Sequence, residues 1–281
     1  MLVDVEQISI AHSPDSDDAF MFYALAKGKV DTKGLKIKQV MKDIQTLNEE
    51  SKKGLYEVTA ISFGVYPEIA DRYALMPCGS SMGDKYGPII VAKKPLSNEQ
   101  LKQAKIAVPG KQTTAWLALQ LFQPGLNAVM MPFDCILEAV ESGEVDAGLL
   151  IHEGQLTYKD MGLEKIVDLG EWWHEITGLP LPLGGNSVRK DIGAQRMKDV
   201  TEIFKASVVY SLEHRQEALE YALSFARNMP EKLADQYVGM YVNERTVDFG
   251  DDGRKALRLM FDLAYEKGIL KEPVKIEFVE I

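Results

Sequence analysis

The sequence predicts an α/β protein built as two lobes joined by two crossing strands, and three observations carry that prediction. Strand-like and helix-like segments alternate from Gln7 to Arg189, the pattern of βαβ units. Two compact Pro/Gly-rich stretches, at about 87–93 and 182–189, interrupt the alternation. A short unit then recurs: K-K-G-L-Y-E-V-T-A-I-S ends at Ser62, and E-S-G-E-V-D-A-G-L-L-I-H ends at His152. Each copy reads as a helix, a glycine, an acid, a buried strand and a polar residue, so each lobe would present one polar group at the same point of a similar unit.

The first lobe opens with a strand, Gln7 to Ala11, that breaks at His12-Ser13-Pro14. Asp15 to Lys27 begins with an acidic, cap-rich turn and closes on Gly28, which predicts a helix. A strand over Leu35–Met41, an amphipathic helix over Asp43–Lys53 and a buried strand over Glu57–Ser62 complete the first βαβ pattern. The second lobe repeats it with strands over Lys105–Val108, Ala128–Met131 and Val145–Ile151, the last an almost continuous apolar run. Beyond Arg189 the pattern turns helical, over 194–212, 213–227, 231–241 and 251–268, before a final strand over Val274–Val279.

Residues 1–87 and 189–281 are therefore expected to form a discontinuous first lobe, 93–182 the second, and 88–92 with 183–188 the crossings. Gly87, Gly184 and Gly185 read as hinge residues. Lobes joined in this way can close over a small ligand, the layout of the type II periplasmic-binding-protein fold. A single doubly wound domain with a helical tail is the alternative.

Composition narrows the function. The 281 residues carry 32 Lys and Arg against 42 Asp and Glu, a net charge of −10, which argues against a nucleic-acid or anionic-membrane binder. No apolar run reaches the roughly 18 residues a membrane span needs. Cys78 and Cys135 stand far apart, outside any C-x-x-C pair, so neither zinc nor a disulfide framework is indicated. The start, M-L-V-D-V-E-Q-I-S-I, has acids where a secretory leader needs Lys or Arg, and a cytoplasmic location is expected.

The candidate chemistry lies at strand ends, because ligands of open α/β sheets bind at the carboxyl ends of the strands. His152 directly follows the apolar run 145–151. It reads either as an acid–base group or as a histidine satisfying a loop carbonyl. Thr113 and Thr114 precede a helix over 115–122 and read either as an anion cradle or as simple caps. Asp15, Asp17 and Asp18 read as helix-dipole charges or as a pair flanking an acetal bond. His12 and His174 read as structural, the latter packed beside Trp172 and Trp173.

Several segments, collinear over nearly the whole chain, resemble one family, the 1,4-dihydroxy-6-naphthoate synthases of the futalosine route to menaquinone. They are H-S-P-D-S-D-D-A-F-M-F-Y-A-L at 12–25, V-T-A-I-S-F-G-V-Y-P at 58–67, G-P-I-I-V-A at 87–92, T-T-A-W-L-A-L-Q-L-F at 113–122, G-E-V-D-A-G-L-L-I-H-E-G-Q-L-T-Y at 143–158, D-L-G-E-W-W-H-E-I-T-G-L-P-L-P-L-G-G-N at 168–186 and Y-V-N-E-R-T at 241–246. The resemblance implies a periplasmic-binding-protein-like, cofactor-independent carbon–carbon lyase acting on cyclic dehypoxanthinyl futalosine, a small aromatic carboxylate. It implies His152 as the base, and Ser13, Asp18, Ser62, Thr113 and Thr114 as substrate contacts, with no metal. In the loop 13–20 the chain keeps Ser13, Pro14, Asp18 and Phe20 of the family's S-P-C-P-N-D-T-F, and has Asp15, Ser16, Asp17 and Ala19 at the other positions. A non-catalytic carboxylate-binding protein and the chorismate dehydratase of the same route are the alternatives, and I-H-E-G-Q after the central strand favours the synthase.

Overall fold

The structure is a computed structural model that describes residues 7–225 and 230–281. Eleven strands are found among them: β1 (Gln7–His12), β2 (Lys36–Met41), β3 (Val58–Ser62), β4 (Tyr73–Leu75), β5 (Ser81–Gly83), β6 (Ile89–Ala92), β7 (Lys105–Val108), β8 (Asn127–Met130), β9 (Ala147–Leu150), β10 (Glu164–Asp168) and β11 (Leu181–Arg189). They form two sheets. The first runs β2-β1-β3-β11-β4, with β5 paired to β11, and the second runs β10-β6-β9-β7-β8.

Read from the opposite edge, the second sheet is β8-β7-β9-β6-β10, which is the order of the first. In the first sheet β1, β2 and β3 are parallel, and β11 lies antiparallel between β3 and β4. In the second, β7, β8 and β9 are parallel, and β6 lies antiparallel between β9 and β10. The echo between residues 52–62 and 141–152 thus reflects equivalent places in two sheets of one topology: β3 and β9 are each the third strand of their set. Both are buried along their whole length, as strands covered on both faces must be.

By internal contacts the chain divides into two compact units: the chain through Ser81 with Gly184–Asp251 and Val274–Ile281, and Met82–Leu183 with Asp252–Pro273. The chain passes from one unit to the other within β5, within β11, within the helix Gly250–Glu266 and after Pro273. Two ranges differ from the sequence expectation. Residues 88–92, expected as a crossing, include β6, a strand in the interior of the second sheet. Residues 252–273, expected with the first lobe, group with the second unit, and the helix in this stretch buries Leu257, Met260 and Phe261.

The core of the first unit is built around the helix Ser16–Ala26, whose Phe20, Met21 and Phe22 are fully buried. A helix apolar nearly all round must be covered nearly all round, here by the helices Ala194–Glu213 and Arg215–Leu223 among others. Phe22 is stacked between His12 (4.1 Å) and Phe204 (4.6 Å). In the second unit Ile89, Val91, Ala107, Ile136, Val140 and Leu150 form the core. Gly143, in left-handed conformation (φ 82°), ends the helix Ile136–Ser142 as its sequence predicts.

Two expectations about local structure are corrected. Val274–Val279 is not a strand: only Phe278 bridges, to Leu75, and β4 is three residues long, too short to template a longer partner. The helix expected over 213–227 runs over Arg215–Leu223, and its residues 226 and 227 lie outside the described residues.

Candidate functional site

At the carboxyl edge of the first sheet, β1 delivers His12 and Ser13, and its parallel neighbour β3 delivers Ser62. Ser13 and Asp18 are brought into direct contact. The Ser13 amide donates to Asp18 Oδ2 (2.8 Å) and the Ser13 hydroxyl to Asp15 Oδ2 (2.7 Å), so both carboxylates fold back over the turn. Beneath them His12 is fully buried, with Nδ1 2.7 Å from the Ser13 carbonyl oxygen and Nε2 3.3 Å from Gln39 Oε1.

Asp18 is 9% exposed, and that burial pushes its carboxyl above the ordinary value of 3.8. The nearby His12 and the Ser13 amide oppose the shift, and Asp15 reinforces it. A carboxyl raised on folding binds more protons folded than unfolded. Its stabilising contribution is therefore present below 3.8 and is lost as pH rises from there. Asp18→Asn is accordingly expected to gain stability relative to the parent between about pH 4 and about pH 7. Urea denaturation of both proteins across that range measures it; an unchanged difference would contradict the burial argument.

Ser62 is held by a residue that the sequence reading missed. Asn48, fully buried in the helix Ile44–Ser51, accepts from the Ser62 amide through Oδ1 (2.9 Å) and donates to Ser62 Oγ through Nδ2 (3.1 Å). The signal was present: Ile44, Leu47, Asn48 and Ser51 form the i, i+3, i+4, i+7 stripe that faces inward, and an asparagine on that stripe needs a buried partner. Asn48→Ala strands the buried Ser62 amide and is expected to destabilise the protein by about 2 kcal/mol. A lower urea midpoint at unchanged slope would register it.

In the second unit the equivalent edge carries the remaining candidates. β7 and β9 are parallel, with Ala107 opposite Gly148, so the loop after Val108 and the residues after Leu150 emerge on one edge. Thr113 is the N-cap of the helix Thr114–Phe122: its hydroxyl accepts from the Trp116 amide (3.2 Å) and donates to the Gly110 carbonyl (2.8 Å). The Thr114 hydroxyl donates to the Leu183 carbonyl. Both side chains are thus engaged in holding the turn.

His152 sits two residues beyond β9 on a left-handed backbone (φ 59°), one of three non-glycine residues with positive φ among those described. Such a conformation costs an ordinary L-residue about 1–2 kcal/mol. The ring is partly buried and meets Phe133 edge to face at 4.5 Å. Its backbone carbonyl accepts from Gln155 (3.2 Å) at the start of the short helix Gly154–Thr157. An imidazole held against an aromatic wall at a strand end has the chemistry of an acid–base group.

The other two histidines lie in helical segments of the two units. His174 belongs to the helix Leu169–Thr177, whose Trp173 is fully buried with Nε1 donating to the Pro180 carbonyl (3.0 Å). His214 is stacked on Tyr210 at 3.8 Å. Cys78 and Cys135 are both free thiols. Among the described residues no helix is long and apolar enough to cross a membrane.

Comparison with known proteins gives this arrangement its context. A family profile described as menaquinone biosynthesis matches residues 8–266. The 1,4-dihydroxy-6-naphtoate synthase of Thermus thermophilus is 38% identical over 265 residues, covering 94% of this chain and 96% of the relative. The protein of the same name from Streptomyces coelicolor is 35% identical over 274 residues, covering 95% and 96%. The crystal structure of protein AF1704 from Archaeoglobus fulgidus superposes with a TM-score of 0.91 at 44% identity, covering 95% of this chain and all of that one. The periplasmic aliphatic sulphonate binding protein SsuA from Escherichia coli, at 15% identity, shares the fold alone, with a TM-score of 0.65 over 96% of this chain and 90% of its own. The architecture is the periplasmic-binding-protein fold that the segmentation predicted. Matched along nearly its whole length, the chain belongs to the menaquinone-biosynthesis family that includes the 1,4-dihydroxy-6-naphtoate synthases.

Proposed function

We propose that this protein is a cytoplasmic 1,4-dihydroxy-6-naphthoate synthase, a carbon–carbon lyase that converts cyclic dehypoxanthinyl futalosine to the naphthoate and a sugar-derived fragment. The observation that carries the reading is the near full-length match to two synthases together with a histidine that follows the third parallel strand of the second sheet.

His152 acts as the general base. It removes a proton from a substrate hydroxyl, or from a carbon beside a carbonyl, and the electron pair left behind drives cleavage of the carbon–carbon bond. Ser13, Asp18, Ser62, Thr113 and Thr114 contact the substrate, with Asn48 orienting Ser62. The backbone amides at the start of the helix Thr114–Phe122 suit a carboxylate, because a helix N-terminus favours negative charge.

Purified protein incubated with cyclic dehypoxanthinyl futalosine should release the naphthoate, followed by chromatography and absorbance. Binding without turnover would reassign the protein as a carrier of small carboxylates, and turnover of chorismate instead would reassign it as a dehydratase.

A further inference from the structure

A second, basic groove lies in the first unit, at the end of the sheet opposite to Ser62. Gly54 precedes β3, and Arg189 closes the antiparallel β11, whose Val188 faces Val58 at the start of β3. The groove encloses about 620 Å3 and is lined by Lys53, Arg72, Arg189 and Lys190 against Asp71 and Asp191. Four cations and two acids gather here in a chain whose net charge is −10.

Three of the cationic heads are fixed by backbone carbonyls. Arg72 Nη1 donates to Lys52 (2.8 Å), Arg189 Nη1 to Gly54 (2.8 Å), and Lys190 Nζ to Ala70 (2.8 Å). Arg189 also pairs with Asp191 and Glu57, and Lys190 with Glu277. Among the described residues neither Arg72 nor Lys53 is held in a close ion pair, and Lys53 acts on Glu50 only through space. The turn is shaped around this guanidinium: Gly54 has φ 68°, and a Cβ there would stand 3.0 Å from Arg72 Cδ and Nη1. A side chain at 54 would both strain the backbone and press on the guanidinium.

We propose that this groove binds a compact multivalent phosphate anion, at a site separate from the one assigned to the reaction. A guanidinium has five donors, and the carbonyl tether leaves most of the Arg72 fork for two oxygens of one phosphoryl group. Lys53 supplies a mobile second charge, while Arg189 and Lys190, whose charges are met by Asp191, Glu57 and Glu277, shape the wall of the groove. The concave shape selects a small molecule rather than a flat macromolecular surface.

The test is calorimetric titration of the full chain with inorganic pyrophosphate at low salt, with citrate at matched ionic strength as the carboxylate arm. One pyrophosphate site is expected, weakened about tenfold or more by Arg72→Gln. Weakening is also expected for Lys53→Gln, whose exposed side chain has no structural bond to lose, and not for Lys94→Gln on the second unit. Thermal melts establish that each variant is folded. Absence of heat at millimolar pyrophosphate, equal binding of citrate, or binding indifferent to both Arg72→Gln and Lys53→Gln would each overturn the proposal. In those cases Arg72 merely satisfies a carbonyl at the end of the helix Ile44–Ser51.

Discussion

Replacing His152 with asparagine is expected to lower turnover of cyclic dehypoxanthinyl futalosine by about a hundred- to ten-thousandfold while leaving the melting temperature nearly unchanged. The choice of asparagine follows from the backbone. Position 152 has φ 59°, a conformation that asparagine tolerates better than most residues. Asparagine therefore removes the proton-transfer group without adding the strain that alanine would retain. His152→Gly relaxes the backbone further and opens a space in front of Phe133. Added imidazole should restore part of its activity if the ring's task is to move a proton. Wild-type turnover in the asparagine variant would remove His152 from the chemistry, whatever reaction the protein catalyses.

The largest expected effect on stability comes from a glycine whose φ is unremarkable. Gly170, in the first turn of the helix Leu169–Thr177, lies flat against the Tyr86–Gly87 peptide, and a Cβ there would fall 1.9 Å from the Tyr86 carbonyl oxygen. Backbone is on both sides of the contact, so no rotamer change relieves it. The amide of Gly170 also donates to Oδ1 of the capping Asp168 (2.8 Å), which ties the turn in place. Gly170→Ala is expected to destabilise by about 3 kcal/mol or more, lowering the melting temperature by about 10 °C. Gly162→Ala is the contrasting control: its φ of 68° is unfavourable for alanine, yet nothing lies within 4 Å of the new methyl. Its loss should stay near 1 kcal/mol. Similar melting temperatures for the two variants would show that the Tyr86 segment yields, contrary to the packing argument.

These contrasts indicate what the chain reveals before it is folded. Gly143 and the run Val145–Ile151 announce a helix end and a buried strand because their signals are local: a left-handed cap and uninterrupted apolar residues. The likeness of residues 52–62 and 141–152 is also legible, since two sheets of one topology impose the same helix–turn–strand unit twice. Asn48 escaped notice because its meaning depends on Ser62, 14 residues later, and appears only when the helix stripe is laid against β3. The requirement for glycine at position 87 is hidden for a related reason. Its φ is not left-handed, and what demands glycine is close approach, since a Cβ would lie 2.9 Å from the Gly170 amide. Thr113 and Thr114 could be read as caps or as a cradle, and in the structure their hydroxyls hold the loop.

The two sheets share an order of strands but not an order of completion. All five strands of the second sheet lie in the continuous stretch 89–168, so a ribosome has emitted everything that sheet pairs before β11 exists. The first sheet must wait for β11 to supply the partner of β3, a closure across more than half the chain made so far. Until then β3 presents an unpaired edge, a hazard for association between nascent chains. Neither unit is whole before its C-terminal piece arrives, Asp252–Pro273 for one and Val274–Ile281 for the other. Vectorial synthesis thus assigns the inserted sheet to form early, and the sheet begun first to finish last.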